Sequence, residues 1–559
     1  MIRNIILLFV LLPLLGSCDL DRFPETDLTD AGYWKSETDL RNACNKLYAD
    51  LPGFDRTEAD FRSDELVGTS QNATSSGNWT IPGKSSDWSS PYNKIAVCNN
   101  IITKAVNTPV DEDIINRWIA EACFFRAYHY FDLVKKYGDV PLILKFFNTT
   151  SDPEITKGRD SREVVIQQCY KDLEFAYTWL PEIDELKSES DWGRVSKSAA
   201  LAMIVRIGLY EGTHKKYHQT VGGDYKEHLK KAIDAAEIMI YNNPKHDLYP
   251  DFTNLFQYAG EGSGNLESVF VKIYQYPSFK NNRKVTDTYV TRSMLDNFLY
   301  IDGLPKNKTL YRVYPELKIM DALGNRDPRV CLTLRLPGEQ GSEEIGNNFL
   351  SPYRPFKTDE VSGFGYAIKK GYIRKEADLL RDCDCIIIRF AEVLVSYAEA
   401  LYEYNGSITD DKLDDTINRL RNRVGFNVRL TNDFVTSNQL NMLEEIRRER
   451  MIEFINEGLH YDDIIRWKTA EKVLPQAVVG LIYNYEDTGC TIPRDNIKDR
   501  LTDENGFYKG VKVYDQGEMY VIEEASSRSF DVNKDYLYPI PTFEISSSEG
   551  RIEQNPGWK

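Results

Sequence analysis

The segment from Asp113 to Tyr137 constrains the fold of this chain more than any other. Ile114, Ile115, Trp118, Ile119, Ala122, Phe125 and Tyr128 recur at helical spacing, and Gly138 marks the end. The apolar residues cover most of the circumference, so this helix needs partners on two sides. The following sequence supplies them. Arg162 to Leu180 is patterned as a second helix, stopped by Pro181. Ser196 to Tyr210 is a third, rich in Ala and other small residues that permit close helix contact. Tyr225 to Asn242 is a fourth, ended by Asn243 and Pro244. After Pro250 the helical pattern weakens. To about Arg381 the chain carries Gly and Pro clusters and short β-type runs such as Ser268 to Tyr274, the mark of an irregular insertion with a few strands. Helices resume at Arg389 to Tyr404, Lys412 to Val424, Gln439 to Glu457 and Tyr461 to Val473, and past Leu474 the chain is loop-rich again.

The helices thus come as consecutive pairs in two blocks. Tyr128 and Phe131 sit near Ala122 and Ala127, and Tyr397 sits near Ala398 and Ala400. Small and aromatic residues alternating at helical spacing resemble tetratricopeptide-type hairpins, in which a small residue on one helix admits a large one from its neighbour. The regular period of about 34 residues is absent. The expectation is a mainly α chain: a tetratricopeptide-like helical-repeat scaffold with a large loop-rich insertion containing a few short strands. The scaffold is expected over about 90–245 and 385–475, the insertion over about 250–384, and a loop-rich C-terminal region over 476–559.

The N-terminus has a different character. Arg3 supplies one positive charge, Ile5 to Leu15 is apolar apart from Pro13, and Gly16 and Ser17 precede Cys18. A short basic start, a short apolar core and small residues before a cut form a secretory signal peptide, here residues 1–17. The apolar run is too short to span a membrane, which takes about 20 residues. Leu15 to Cys18 resembles a bacterial lipobox, in which cleavage precedes the cysteine and the thiol carries the lipid. Lipid attachment at Cys18 would tether an otherwise soluble domain of 18–559.

The formal net charge of −17 argues against nucleic acid and anionic membrane surfaces as partners, since both select basic patches. With 34 Tyr, 25 Phe and 8 Trp, the chain is well supplied with rings that are both apolar and hydrogen-bonding. Cys44, Cys98, Cys123, Cys169, Cys331, Cys383, Cys385 and Cys490 are scattered, and Cys98, Cys123 and Cys169 fall in helical patterns as small buried hydrophobes. No phosphate loop, nucleophile elbow or zinc-protease helix is present, and no second Cys or His pair stands at zinc spacing from Cys383 and Cys385. Adjacent acids such as Asp462 and Asp463 fit a helix start, so they are no signal of glycosidase chemistry. No catalytic residue, metal site or cofactor is expected. Oxygen ligands are too common in this sequence to pick out a Ca²⁺ set.

Specific information lies in segments running in a fixed order: Glu121–Phe131 (EACFFRAYHYF), Lys136–Leu142 (KYGDVPL), Gly193–Ala200 (GRVSKSAA), Arg389–Ala400 (RFAEVLVSYAEA), Ile417–Gly425 (INRLRNRVG), Arg448–Gly458 (RERMIEFINEG), Asp463–Trp467 (DIIRW), then Tyr538–Pro541 (YPIP), Glu544 and Gln554–Trp558 (QNPGW). Together they resemble the SusD/RagB family of Bacteroidetes outer-membrane nutrient-uptake lipoproteins, over nearly all of the mature chain. One departure is visible: His460 stands where the family usually carries an Arg. The resemblance implies four tetratricopeptide-like helix pairs carrying a variable loop-rich face. It implies no enzyme activity but a cell-surface, lipid-anchored protein of the outer membrane. Such a protein binds oligosaccharide or polysaccharide and delivers it to a TonB-dependent (SusC-like) barrel. Arg126, Arg389, Glu392, Glu399, Arg421, Glu449 and Arg466 are read as ion pairs and caps between packed helices, since partly buried charges need partners.

Sugar recognition uses flat apolar platforms and planar hydrogen-bonding side chains, and it concentrates on loops over a rigid scaffold. Two stretches qualify. Asp64 to Trp88 holds Asn72, Asn78, Trp79, Lys84 and Trp88; Tyr274 to Arg283 holds Tyr276, Phe279, Asn281 and Arg283. The expected ligand-binding residues are Trp79 and Tyr276 as platforms, with Asn78, Phe279, Asn281 and Arg283. Trp88, before Tyr92 and Ile95 at a helix start, is expected in the core. The competing readings are a surface glycoside hydrolase and a peptide- or protein-binding helical-repeat lid.

Overall fold

The structure is a computed structural model. It describes residues 33–49, 51–68, 70–149, 151–219, 222–275, 278–281, 288–314, 316, 319–336, 356–357, 360–361, 366–371, 382–482, 510–514 and 517–559. The expected signal segment with Cys18, and Tyr276 and Arg283 of the expected site, lie outside these residues.

The helical stack begins earlier than expected, with α1 (Glu37–Ala49) and α2 (Ser86–Ala105). Then come α3 (Glu112–Tyr137), α4 (Arg162–Trp179), α5 (Lys197–His218) and α6 (Tyr225–Glu237), the last running on into a π-helical turn, Ile238–Asn242. After the insertion follow α7 (Phe390–Asn405), α8 (Ile417–Arg423), α9 (Met442–Glu453) and α10 (His460–Arg466). Each helix from α2 to α7 packs on the next in sequence, α1 lies against α2 and α3, and α10 lies against α5. That nearest-neighbour stacking is the helical-repeat scaffold the sequence implied.

Local chemistry sets the ends. Ser85, Ser161, Ser196 and Asp224 each accept a backbone N–H at the start of α2, α4, α5 and α6. Gly138, at φ +73°, donates its N–H to the Val134 carbonyl at 2.9 Å and stops α3. Two glycines of α5 govern its packing on α6. A Cβ on Gly208 would lie 2.6 Å from the His228 carbonyl oxygen, and one on Gly212 would lie 2.6 Å from Leu229 Cγ. Their absence of side chain lets α5 and α6 touch backbone to backbone, which carries α5 two turns beyond Tyr210.

Trp88, Trp118, Phe124, Phe125, Tyr130, Cys98, Cys123 and Cys169 are buried in the core that runs through the stack. A second core under the insertion joins Leu66, Val290, Met294, Phe298, Tyr366, Ile452 and Ile455. The insertion carries short strands: β1 (Leu66–Val67) pairs with β3 (Tyr289–Val290), which pairs with β4 (Tyr366–Ala367). The β-type run at 268–274 forms β2 (Ser268–Lys272), antiparallel to β5 (Cys385–Arg389) just before α7. The C-terminal region holds more regular structure than expected. There β6 (Val478–Ile482), β7 (Gly510–Tyr514) and β8 (Gly517–Glu523) form a three-stranded sheet with β8 in the middle, and Thr542–Ser547 is a short helix.

The insertion is bolted to the second helix block by buried charge. Arg389 donates to Glu267 at 2.8 Å, Glu453 at 2.7 Å and Glu457 at 2.7 Å. Arg329 meets Asp327 at 2.7 Å and Glu449 at 2.6 Å, and Arg421 meets Glu449 at 3.0 Å. Arg126 pairs with Asp172, Arg206 with Glu392, and Arg466 with Glu399. Burial alone would raise the Glu399 carboxyl, but Arg466 outweighs it and holds it down at about 2. His460, the departure from the family's usual Arg, is buried. Its Nε2 lies 2.9 Å from Asp64 Oδ1, so the imidazole still makes an ion pair where the family carries an Arg.

Candidate functional site

The loops on the insertion side carry the chemistry that suits sugar. The stretch after β2 packs Tyr274 against Phe279 with ring centroids 5.2 Å apart and planes 20° apart, and the Lys272 ammonium lies 5.3 Å from both. Phe54 stacks on the Tyr274 side at 6.2 Å. Phe279 is 38% exposed, so a ring held by its neighbours is offered to solvent. Acids surround it. The Tyr274 N–H donates to Asp384 Oδ1 at 2.9 Å, the Asp384 N–H donates to Glu261 at 2.8 Å, and the exposed Tyr258 hydroxyl donates to Asp382. Burial pushes Asp384 up to about 7, the Tyr274 N–H opposing and Glu261 and Asp382 adding to the rise. A carboxyl titrating near neutrality can donate as well as accept a hydrogen bond, as a sugar hydroxyl can.

The expected residues divide into buried and exposed ones. Asn281 is buried and donates to the Cys383 carbonyl at 3.1 Å, so its amide ties the 278–281 turn to the start of β5. Trp79 is half-buried: its Nε1–H donates to the Thr74 carbonyl at 3.1 Å, and its ring meets Tyr538 edge-on at 4.5 Å and Trp558 at 5.8 Å. In this arrangement the indole locks the 71–79 loop to the C-terminal segment. Asn78 beside it is exposed and donates to Ser76 Oγ at 3.0 Å. Phe279 and Asn78 are thus presented to solvent, while Trp79 and Asn281 are engaged with the protein.

Sequence reasoning missed a second aromatic edge. Tyr311 is 48% exposed and Tyr314 55% exposed, beside Leu310 at 96%. The loop that carries them is held in place. The Tyr311 N–H donates to Thr309 Oγ1 at 3.0 Å, Asn325 Nδ2 donates to the Tyr311 carbonyl at 3.1 Å, and Thr309 Oγ1 donates to Asp302 at 2.8 Å. The Arg312 guanidinium lies 5.2 Å from the Tyr314 ring centre and pairs with Glu316 at 3.1 Å. Two exposed rings on a hydrogen-bonded loop make a pre-organised platform. The signal that could have found it was the pair of tyrosines at 311 and 314 within the loop-rich insertion.

Among the described residues no group of three or more His, Cys, Asp or Glu side chains is arranged to hold a metal, and no helix is long and apolar enough to cross a membrane.

The chain resembles known proteins over its whole length. It is 25% identical to a SusD-like protein of Formosa agariphila over 590 aligned positions, covering 99% of each chain. A SusD-like carbohydrate-binding protein from Bacteroides fragilis superposes with a TM-score of 0.72 at 23% identity, covering 93% of this chain and 99% of that one. A laminarin-binding SusD-like protein superposes with a TM-score of 0.59 at 18% identity, covering 94% of this chain and 100% of that one. The family model described as "Starch-binding associating with outer membrane" matches residues 40–209, and the model described as "SusD family" matches residues 255–558. The second match takes in almost all of the insertion and of the chain after it, more than half of the chain, and the chain belongs to the SusD family.

Proposed function

We propose that this protein is a cell-surface glycan-binding lipoprotein that captures oligosaccharide and delivers it to a TonB-dependent outer-membrane transporter. The observation that carries the reading is the pairing of a SusD-family scaffold with solvent-facing rings on hydrogen-bonded loops: Phe279 on Tyr274, and Tyr311 with Tyr314. Rings of this kind cover the C–H faces of a pyranose, and Asp384 and Asp382 near Tyr274 and Arg312 beside Tyr314 supply donors and acceptors for its hydroxyls. Of the expected residues, Phe279, Asn78, Tyr276 and Arg283 stay in the proposed site. Trp79 and Asn281 support it by holding loops. Starch-type and laminarin-type glucans head the ligand panel, because they are named for a matching family model and for a related structure. Binding and not hydrolysis is the proposed role, with lipid on Cys18 as the tether.

Mature protein beginning after the signal segment should be retarded in native gels containing one polysaccharide of a broad panel and should release no reducing ends from it. Release of product would favour the hydrolase reading. Indifference to every glycan together with co-purification of a barrel protein would favour the protein-binding lid. A Cys18→Ala variant should bind the same glycan in solution and fail to support uptake in the cell.

A further inference from the structure

Lys272, the last residue of β2, is 9% exposed, and its ammonium stands where the helical stack, the 51–54 segment and the aromatic loop meet. It donates to the Leu51 carbonyl and, at 3.5 Å, to the carbonyl of Ala49, the last residue of α1. The last carbonyls of a helix have no partner within it, and a cation favours the negative end of the helix dipole. The same ammonium lies 5.3 Å from the ring centres of both Tyr274 and Phe279, within reach of cation–π attraction. Phe54, three residues beyond Leu51, stacks on Tyr274 with the planes 16° apart.

The backbone of Phe279 is fixed by other means. Gln275 and Phe279 exchange two backbone hydrogen bonds of 2.7 Å, and Asn281 donates to the Cys383 carbonyl at 3.1 Å. These bonds place the Phe279 Cα and leave its side-chain torsions open. The ring, 38% exposed, takes its orientation from its inner contacts, Tyr274 and Lys272. An apolar side chain in place of Lys272 would take a donor from the Leu51 and Ala49 carbonyls and the cation from both rings.

We infer that Lys272 is a positioning residue for glycan capture: anchored on the end of α1, it locks the Phe279 ring against Tyr274 before ligand arrives. The inference rests on the reading of Phe279 as a glycan platform. Lys272 does not itself meet the sugar, since it is buried and donates to carbonyls inside the protein. A ring that has to be immobilised as ligand binds weakens affinity roughly two- to tenfold relative to one already held.

The test uses the mature protein with laminarin and soluble starch as probes. Against whichever of them it binds, Lys272→Met should weaken affinity roughly two- to tenfold by calorimetry. Lys272→Arg, which keeps a cation and donors at this position, should recover most of the loss. In a Phe279→Ala background the Lys272→Met change should cost nothing further, because the ring it positions is gone. Ligand-free crystals of Lys272→Met should show Phe279 off the Tyr274 ring or in more than one rotamer. Lys272→Gln, which keeps a donor but no charge, takes the place of Lys272→Met if the latter does not fold. The inference is overturned by a folded variant whose Phe279 ring stays on Tyr274, or whose affinity matches wild type while Phe279→Ala lowers it. It is also overturned if the two losses add in full, since Lys272 would then act on the fold and not through the ring. Undiminished affinity in Phe279→Ala, with the ring displaced in Lys272→Met crystals, would sink the platform reading and uphold the hold of Lys272 on the ring. If neither probe binds, the crystals alone decide.

Discussion

Replacing His460 by Gln removes a charge from a buried pair and leaves a side chain that can still donate to the same acceptor. The His460 side chain is 5% exposed, and the Asp64 side chain it meets is 17% exposed. Burial works to lower the imidazole pKa. The hydrogen bond to Asp64, and then the charges of Asp64, Asp463 and Asp60, outweigh it and raise the value above the ordinary one. A group whose folded pKa is raised stabilises fully below its unfolded value of about 6.5 and loses that contribution as pH rises through the folded value. Burial likewise works to raise Asp64, but His460 holds it down. Its share is present above about 3.9 and is lost as pH falls through the folded value. The pair is therefore at full strength between about pH 4 and 6.5. A hydrogen bond to a charged partner contributes about 1.5–3 kcal/mol and a neutral one about 0.5–1.5 kcal/mol, so the charge itself is worth about 1–2 kcal/mol here. Urea unfolding should show His460→Gln less stable by about 1–2 kcal/mol near pH 5.5 and by less at an alkaline pH, the deficit shrinking as pH rises through the raised folded value and wild type loses the charge. A deficit of equal size at both pH values would refute the argument.

Two further substitutions test the scaffold. Arg389→Met leaves Glu267, Glu453 and Glu457 with Arg423, Arg329 and Lys370 as their remaining cations. It should cost about 3–5 kcal/mol in urea unfolding at neutral pH, as breaking a buried pair does, and the deficit should shrink in acid as the carboxylates protonate. Gly208→Val places a branched side chain where even a Cβ would sit 2.6 Å from the His228 carbonyl and 2.9 Å from Ala232 Cβ. It should part α5 from α6 and lower stability by about 3 kcal/mol or more, read as a fall in the urea midpoint.

The long helices were legible because each is marked twice, by periodicity and by an end signal: Ser161 and Pro181 around α4, Asp224 before α6, Gly138 after α3. α1 was missed because it is polar and buries only Leu40, Cys44 and Leu47, a stripe too thin to see in a mixed sequence. The start of α2 was blurred by Pro91, which the helix carries within its second turn. The expected single helix at 412–424 breaks at Thr416, whose backbone is neither helical nor extended, a choice made by packing and not by propensity. The ion-pair roles of Arg126, Arg389, Arg421 and Arg466 were legible because charges set among buried segments need partners. The site was harder to read, because a ring in a loop looks the same whether it faces water or the protein. Trp79 turns inward against Tyr538 and Trp558, which lie more than four hundred residues away in sequence, while Tyr311 and Tyr314 turn outward.

Glycan capture by the exposed rings is the proposed activity of this protein. Calorimetry of the mature protein against the polysaccharide that retards it, compared with a Phe279→Ala, Tyr311→Ala, Tyr314→Ala triple variant, tests that directly. These side chains are solvent-facing, so the variant should unfold within about 1 kcal/mol of wild type. It should lose at least about tenfold in affinity, with no product formed in either sample. Undiminished affinity in a folded triple variant would contradict the assignment of these rings as the glycan platform.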